Sequence, residues 1–162
     1  MTADEEAGSV SLEVSRIVPA PPEAVFRAWT EPREIEKWWA PDGMSVPFVD
    51  IDLKVGGTYR LGLQRPDADP FYATGTYREV QPPRRLVFTW RWEPDTMKTG
   101  ETLVTIEFHE QDGKTEIVLT HERFPSTEVR DEHRKGWTEC LERLGGSIIA
   151  FHDPKPQRGG TR

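Results

Sequence analysis

The fold is decided by the stretch RLVFTWRW, residues 85–92, in which large apolar side chains alternate with smaller or charged ones. One face of this stretch carries Leu86, Phe88, Trp90 and Trp92. The opposite face carries Val87, Thr89 and Arg91. Because side chains in a β-strand alternate between two faces, this pattern predicts a strand with one face against the protein core.

Further strands are predicted on both sides of this stretch. Apolar side chains alternate over residues 10–18, 58–63, 71–80, 102–109 and 115–121, and another strand starts near Val46. Asp112-Gly113 separates the last two runs and is a strong signal for a two-residue hairpin turn. Gly75 marks a bulge or a close approach of the backbone. Strands joined by hairpins form an antiparallel sheet, so we expect one curved antiparallel sheet.

Helices are predicted after the first strand and at the end of the chain. Proline ends the first strand, and two short helices follow, the second with Ile35, Trp38 and Trp39 on one side. Ser126 or Thr127 can cap a long helix. Its apolar stripe consists of Val129, His133, Gly136, Trp137, Cys140, Leu141, Leu144 and Ile148. The sequence therefore predicts an α+β fold, with the sheet curled around a long C-terminal helix.

Length and composition predict a single domain. The chain has 162 residues and a net charge of −7, and we expect residues 9–152 to fold as one domain between disordered tails, residues 1–8 and 153–162. An acidic chain without a basic patch is not expected to bind nucleic acid. Neither a membrane span nor a secretory signal is predicted, so we expect a cytoplasmic protein.

No pattern typical of a metal or cofactor site occurs in the sequence. The chain has one cysteine, Cys140, and four histidines without ligand spacing, and it lacks HExxH, CxxC and phosphate-loop motifs. We expect no metal and no cofactor, and we interpret Cys140 as a small buried apolar side chain.

Seven short segments, taken in order, carry a resemblance to a known family. They are APPEAVFRAWT (20–30), KWWAP (37–41), VGG (55–57), GTY (75–77), VQPPRRLVFTW (80–90), THERFP (120–125) and GW (136–137). The series, which spans residues 14–151, resembles the family named for the activator of the heat-shock protein 90 ATPase. That family belongs to the superfamily of Bet v pollen allergens, START lipid-transfer domains and polyketide cyclases.

The resemblance implies a helix-grip, Bet v-like fold with a cavity between the sheet and the long helix. It does not fix an activity, because the superfamily contains both binders and enzymes. In the eukaryotic co-chaperone a separate N-terminal domain carries much of the ATPase stimulation, so we do not expect a chaperone partner here.

The cavity predicted by the resemblance would be lined by inward side chains of the strands, the second short helix and the long helix. The candidates are Trp38, Trp39, Tyr59, Leu61, Tyr77, Phe88, Trp90, Trp92, Val104, Ile106, Phe108, His121, Trp137, Leu141 and Arg16. Any one tryptophan could instead be an ordinary core or rim residue, and the cluster as a whole favours the pocket more than a single member does. Arg16 and His121 fall on the apolar sides of their strands, where they could bind a ligand or transfer a proton; alternatively, both reach solvent from strand ends.

Three functional classes follow. The first is the binding of a small hydrophobic or aromatic ligand, and the second is an enzyme of the cyclase, dehydratase or hydrolase type that uses the same cavity. The third is a co-chaperone-like module for protein interaction, and a homodimer also stays open. Binding ranks first, because an enzyme needs a polar group deep in the cavity with a partner that tunes it.

Overall fold

The computed structural model of the protein describes residues 10–40 and 43–152, with side chains up to residue 148. The elements run β1 (Val10–Val18), α1 (Pro22–Thr30), α2 (Pro32–Ile35), β2 (Ser45–Ile51), β3 (Thr58–Gln64), β4 (Phe71–Gln81), β5 (Arg85–Glu93), β6 (Thr102–Gln111), β7 (Lys114–Phe124) and α3 (Thr127–His152). The tails that the sequence predicts to be disordered lie outside the described residues.

All seven strands form one antiparallel sheet in the order β1-β7-β6-β5-β4-β3-β2. Strands β2 to β7 follow one another as a meander, and β1 pairs with β7 at the far edge. The predicted Asp112-Gly113 hairpin is confirmed: both residues have positive φ, 53° and 82°, as a tight turn of this kind requires.

The long helix α3 packs against the inner face of the sheet, mainly against β1 and also against β7. Its predicted cap is Ser126, whose hydroxyl accepts a hydrogen bond from the Val129 amide at 3.2 Å. The helix continues through Gly145 and Gly146 to His152, so these glycines do not end it. The helix-grip architecture predicted from the sequence is confirmed.

Two local features differ from the expected pattern. Helix α2 ends at Ile35, Trp38 lies in the turn that follows and Trp39 comes after that turn, although all three side chains are buried. Val87 and Thr89, on the expected outer face of β5, are also buried, and the Thr89 hydroxyl accepts a hydrogen bond from the Thr76 amide at 2.8 Å. A Cβ on Gly75 would lie 1.9 Å from the Thr89 carbonyl oxygen, so this position tolerates only glycine.

Candidate ligand-binding site

A cavity of about 890 Å³ lies between the first half of α3 and the sheet. The sheet contributes Leu63, Phe71, Trp90 and Trp92. Helix α3 contributes His133, Gly136, Trp137 and Cys140. Trp39, Met44 and the loop residues Pro70, Pro94 and Met97 also line it. The interior is therefore largely apolar, with four tryptophan rings on its walls.

The mouth of the cavity carries charges of both signs. They are Arg65, Asp69, Glu132, Lys135 and Glu139, with Thr96 beside them. Three carboxylates and two cations leave the rim without a net positive charge. An apolar interior with a charged rim is the usual arrangement of a site for a small organic molecule.

His121, one of the predicted candidates, is completely buried behind the cavity wall. Its Nδ1 accepts a hydrogen bond from the Trp137 indole N–H at 3.0 Å, because an indole nitrogen can only donate. The ring proton therefore sits on Nε2, which donates to the Thr102 hydroxyl at 2.7 Å, and that hydroxyl donates to the Trp90 carbonyl at 3.2 Å. Both ring nitrogens therefore have hydrogen-bond partners, and His121 holds Trp137 in place. The alternative prediction, that His121 reaches solvent from the end of its strand, is wrong.

His133 forms a second pair of the same kind on the wall of the cavity. Its Nε2 accepts the indole N–H of Trp92 at 2.8 Å, and its Nδ1 donates to the Val129 carbonyl at 2.8 Å. Burial lowers the pKa of His133, against smaller raising effects of the Val129 hydrogen bond and of Glu132 and Asp95. The histidine is a neutral acceptor that fixes the orientation of Trp92.

The pKa of His121 is also lowered, first by burial and then by His133, whose ring centroid lies 5.4 Å away. A proton added to either ring would point an N–H group at an indole N–H group. Both histidines therefore favour the neutral form, and the aromatic wall depends on that form.

Cys140 lines the cavity, but its thiol is not poised for nucleophilic chemistry. The sulfur donates to the Trp39 carbonyl at 2.7 Å, and burial raises the pKa of the thiol to about 12. A nucleophilic cysteine needs the opposite shift. Cys140 thus tethers the Trp39 backbone to α3.

A second, much smaller space of about 20 Å³ lies beside the main cavity. Its walls include Tyr59, Leu61, Tyr77 and Phe88, and it shares Trp39 and Trp90 with the main cavity. The Tyr59 hydroxyl donates to the Thr89 carbonyl at 2.5 Å, and burial raises the pKa of both Tyr59 and Tyr77. Room for about one water molecule makes this space an extension of the core.

All predicted site residues except Arg16 thus separate into three groups. Those on the main cavity are Trp39, Trp90, Trp92 and Trp137. Those on the small space alone are Tyr59, Leu61, Tyr77 and Phe88. Buried core residues that line neither space are Trp38, Val104, Ile106, Phe108, His121 and Leu141.

Arg16 lies outside both spaces and is exposed. Its guanidinium reaches along α3, where a Cβ on Gly145 would lie 3.0 Å from its Nε. Phe108 instead packs against Phe26 of α1, with ring centroids 5.5 Å apart. Alternation placed these side chains on the correct face of the sheet, but it could not show which part of that face the cavity occupies.

Sequence reasoning missed several lining residues, chiefly Met44, Leu63, Phe71, Met97, His133 and Gly136. His133 and Gly136 were visible on the apolar stripe of the long helix. Leu63 and Phe71 were visible as inward strand residues. The loop residue Met97 gave no signal, because its position depends on Asp95, whose carboxylate accepts the Thr99 and Gly100 amides at 2.8 Å each.

Among the residues that the structure describes, no group of three or more His, Cys, Asp or Glu side chains could hold a metal ion. No described helix is both long enough and apolar enough to cross a membrane.

Solved structures share this fold. An AHSA1 protein from Silicibacter pomeroyi is 26% identical, with a TM-score of 0.76, covering 88% of this chain and 100% of that one. A protein from Chromobacterium violaceum is 25% identical, with a TM-score of 0.75, covering 85% and 96%. An AHSA1-like protein from Aeromonas hydrophila, 22% identical with a TM-score of 0.72, covers 87% and 93% and shares the fold.

No curated protein matches the chain. The model of the family described as "Activator of Hsp90 ATPase homolog 1-like protein" matches residues 19–147, which include β2 to β7, α1, α2 and most of α3. The chain therefore belongs to the Activator of Hsp90 ATPase homolog 1-like family.

Proposed function

We propose that the protein binds a small hydrophobic or aromatic molecule in the cavity between the sheet and α3. The observation that carries this proposal is the cavity itself: about 890 Å³, with Trp39, Trp90, Trp92 and Trp137 on its walls. Ligand sites in proteins typically enclose several hundred Å³ and have mainly apolar and aromatic walls with few polar groups.

The two titratable side chains in the wall of the cavity, Cys140 and His133, favour binding over catalysis. The Cys140 thiol is held protonated by burial, and both nitrogens of His133 already have hydrogen-bond partners. A general base needs a free lone pair within reach of the substrate. The histidine instead orients a tryptophan ring, which is a role in shaping a binding wall.

Gly136 offers a way to block the cavity without removing any core side chain. It lies on α3 at the cavity, and a Cβ added to it would meet nothing within 4 Å. Gly136→Phe therefore places a ring in the empty space. Gly146→Phe is the matched control, because Gly146 lies on the same helix, also meets nothing within 4 Å and does not line the cavity.

The experiment is a titration with flat aromatic and fatty-acid probes, followed by tryptophan fluorescence. We expect saturable binding to the unmodified protein and to Gly146→Phe. Gly136→Phe should weaken binding by roughly tenfold or more, about 1.4 kcal/mol, because its ring occupies space that a probe needs. Absence of saturable binding by every probe, or equal binding by both variants, would remove the proposal.

A further inference from the structure

One hydrogen bond in the wall of the cavity, between Trp92 and His133, uses the position at which a neutral histidine accepts a proton. The Trp92 indole N–H donates to His133 Nε2 at 2.8 Å, and His133 Nδ1 donates to the Val129 carbonyl at 2.8 Å. The Nε2 lone pair is the only one that the ring can offer to a proton. Because the indole already occupies that lone pair, His133 cannot be protonated while Trp92 keeps its place.

Trp92 packs against two other rings of the cavity wall. Its ring centroid lies 5.3 Å from that of Trp90 and 5.5 Å from that of Phe71, and all three residues line the cavity. Trp92 is half-buried, whereas Trp90 and Trp137 are only 3% and 4% exposed. Of these three tryptophans, Trp92 therefore loses the least packing when its ring turns away, and its departure takes one ring out of the wall.

The titratable groups around His133 come from α3, from the loop after β5 and from β7. Glu132 of α3 and Asp95 of the loop both favour a charged ring. His121 of β7, whose ring centroid lies 5.4 Å from that of His133, is itself kept neutral by burial and by His133. Burial outweighs the two carboxylates and lowers the pKa of His133, so the neutral ring prevails at neutral pH. Acid shifts this balance toward the charged ring.

We propose that acid releases the ligand from the cavity: a proton on His133 displaces the Trp92 indole, and the ring turns out of the wall against which the ligand packs. This inference rests on the proposed function and adds the regulation of that site. Ligand and proton favour different states of the same histidine, so each weakens the binding of the other. His133 is thus a positioning residue that acts on the ligand through Trp92.

The test follows the affinity of N-phenyl-1-naphthylamine, a fluorescent aromatic probe that stays uncharged between about pH 8 and pH 5. We expect its dissociation constant to be the same at about pH 8 and pH 7 and to rise at lower pH, by at most about tenfold per pH unit. Between about pH 8 and pH 5 the rise should be roughly threefold or more. Circular dichroism at each pH shows that the protein is still folded.

Substitution of His133 by glutamine gives Trp92 an acceptor that does not titrate, and its amide group can still donate to the Val129 carbonyl. In His133→Gln the ratio of the dissociation constants at low and high pH should therefore fall to less than about twofold. His109→Gln is the matched control, because His109 is exposed on β6 and does not line the cavity, and it should keep the full ratio. A loss of affinity that is common to both pH values cancels in this ratio.

Proton release on binding tests the same coupling in the unmodified protein. Calorimetric titration with the probe at about pH 6, in two buffers with different ionisation enthalpies, should show up to about one proton released per probe bound. Saturable binding with the same affinity across the pH range and no proton release, or a full ratio in His133→Gln, would overturn this inference and leave the proposed function intact. Failure of this probe and of the wider panel to bind at about pH 8 would instead remove the proposed function.

Discussion

The inner face of the sheet has two halves that are packed in different ways. The aliphatic half consists of Leu12, Val104, Ile106, Ile117, Leu119 and Leu144, from β1, β6, β7 and α3. The aromatic half consists of Trp29, Trp39, Tyr59, Tyr77, Phe88, Trp90, Trp92 and Trp137. Every member of the aromatic half lines one of the two spaces, whereas no member of the aliphatic half lines either.

The difference follows from side-chain shape and chemistry. Branched aliphatic side chains interdigitate at high density, whereas large flat rings meet edge to face and leave gaps between them. Each indole also brings an N–H group that needs an acceptor, which explains the two histidines in the aromatic half. The aliphatic half is therefore densely packed, and the aromatic half keeps open space at some cost in stability.

The largest expected effect comes from the same substitution in each half. Leu119 and Leu63 are both inward strand residues, 0% and 4% exposed, but only Leu63 lines the cavity. Leu119→Ala should lower the free energy of unfolding by about 4 kcal/mol, because it creates a new void in a dense core. Leu63→Ala should cost about 2 kcal/mol, because it enlarges a space that already exists.

Urea denaturation of both variants at neutral pH measures these two values. The comparison requires that the free energy of unfolding of both variants depends on urea concentration with the same slope. Equal slopes show that the variants unfold between the same two states. Equal losses for the two variants, or a larger loss for Leu63→Ala, would contradict the division of the molecule into a dense half and an open half.

The second prediction concerns pH, which should act on the aromatic half. The folded-state pKa of both His121 and His133 lies below the unfolded value of about 6.5. Below that pH the unfolded chain binds protons that the folded chain does not. Stability is therefore complete above pH 6.5 and falls as the pH decreases, by at most about 1.4 kcal/mol per pH unit for each histidine.

Denaturation at several pH values between 7 and 5.5 checks this slope, because the ordinary carboxylates titrate mainly below that window. His133→Gln keeps a neutral donor and acceptor at that position and should reduce the slope by about half. A free energy of unfolding that does not change across the window would mean that the histidines do not need to be neutral.

The two halves also differ in how far the sequence predicted them. In the aliphatic half, strict alternation in β6 and β7 gave both the strands and the inward residues Ile106 and Leu119, since burial in a sheet follows a period of two. The hairpin at Asp112-Gly113 fixed the register between those strands. Local rules were sufficient wherever neighbouring strands pair through short turns.

In the aromatic half, the periodicity of apolar residues along strands and helices identified the tryptophans as inward side chains. It could not show which of them lie at the cavity. The periodicity of β5 put Phe88 and Trp90 on one face, yet only Trp90 reaches the main cavity. That distinction depends on where α3 crosses the sheet, and this crossing is a tertiary property. The pairings of His121 with Trp137 and of His133 with Trp92 join distant segments, so spacing along the chain could not reveal them.

The smallest expected effect compares glycines along α3, which crosses both halves. Glycine in a helix is less favourable than alanine by about 1 kcal/mol, so Gly→Ala stabilises wherever the added methyl group has room. Gly136, at the cavity, and Gly146 both meet nothing within 4 Å, and each substitution should raise the free energy of unfolding by up to about 1 kcal/mol. At Gly145 the new Cβ would lie 3.0 Å from Arg16 Nε, so the guanidinium must move and the gain should be smaller.

Urea denaturation of the three variants gives the order. An equal gain in the free energy of unfolding at Gly145 and at Gly136 would show that the Arg16 side chain moves away from the new methyl group at no cost. The space beside α3 would then be no more open in the aromatic half than in the aliphatic half.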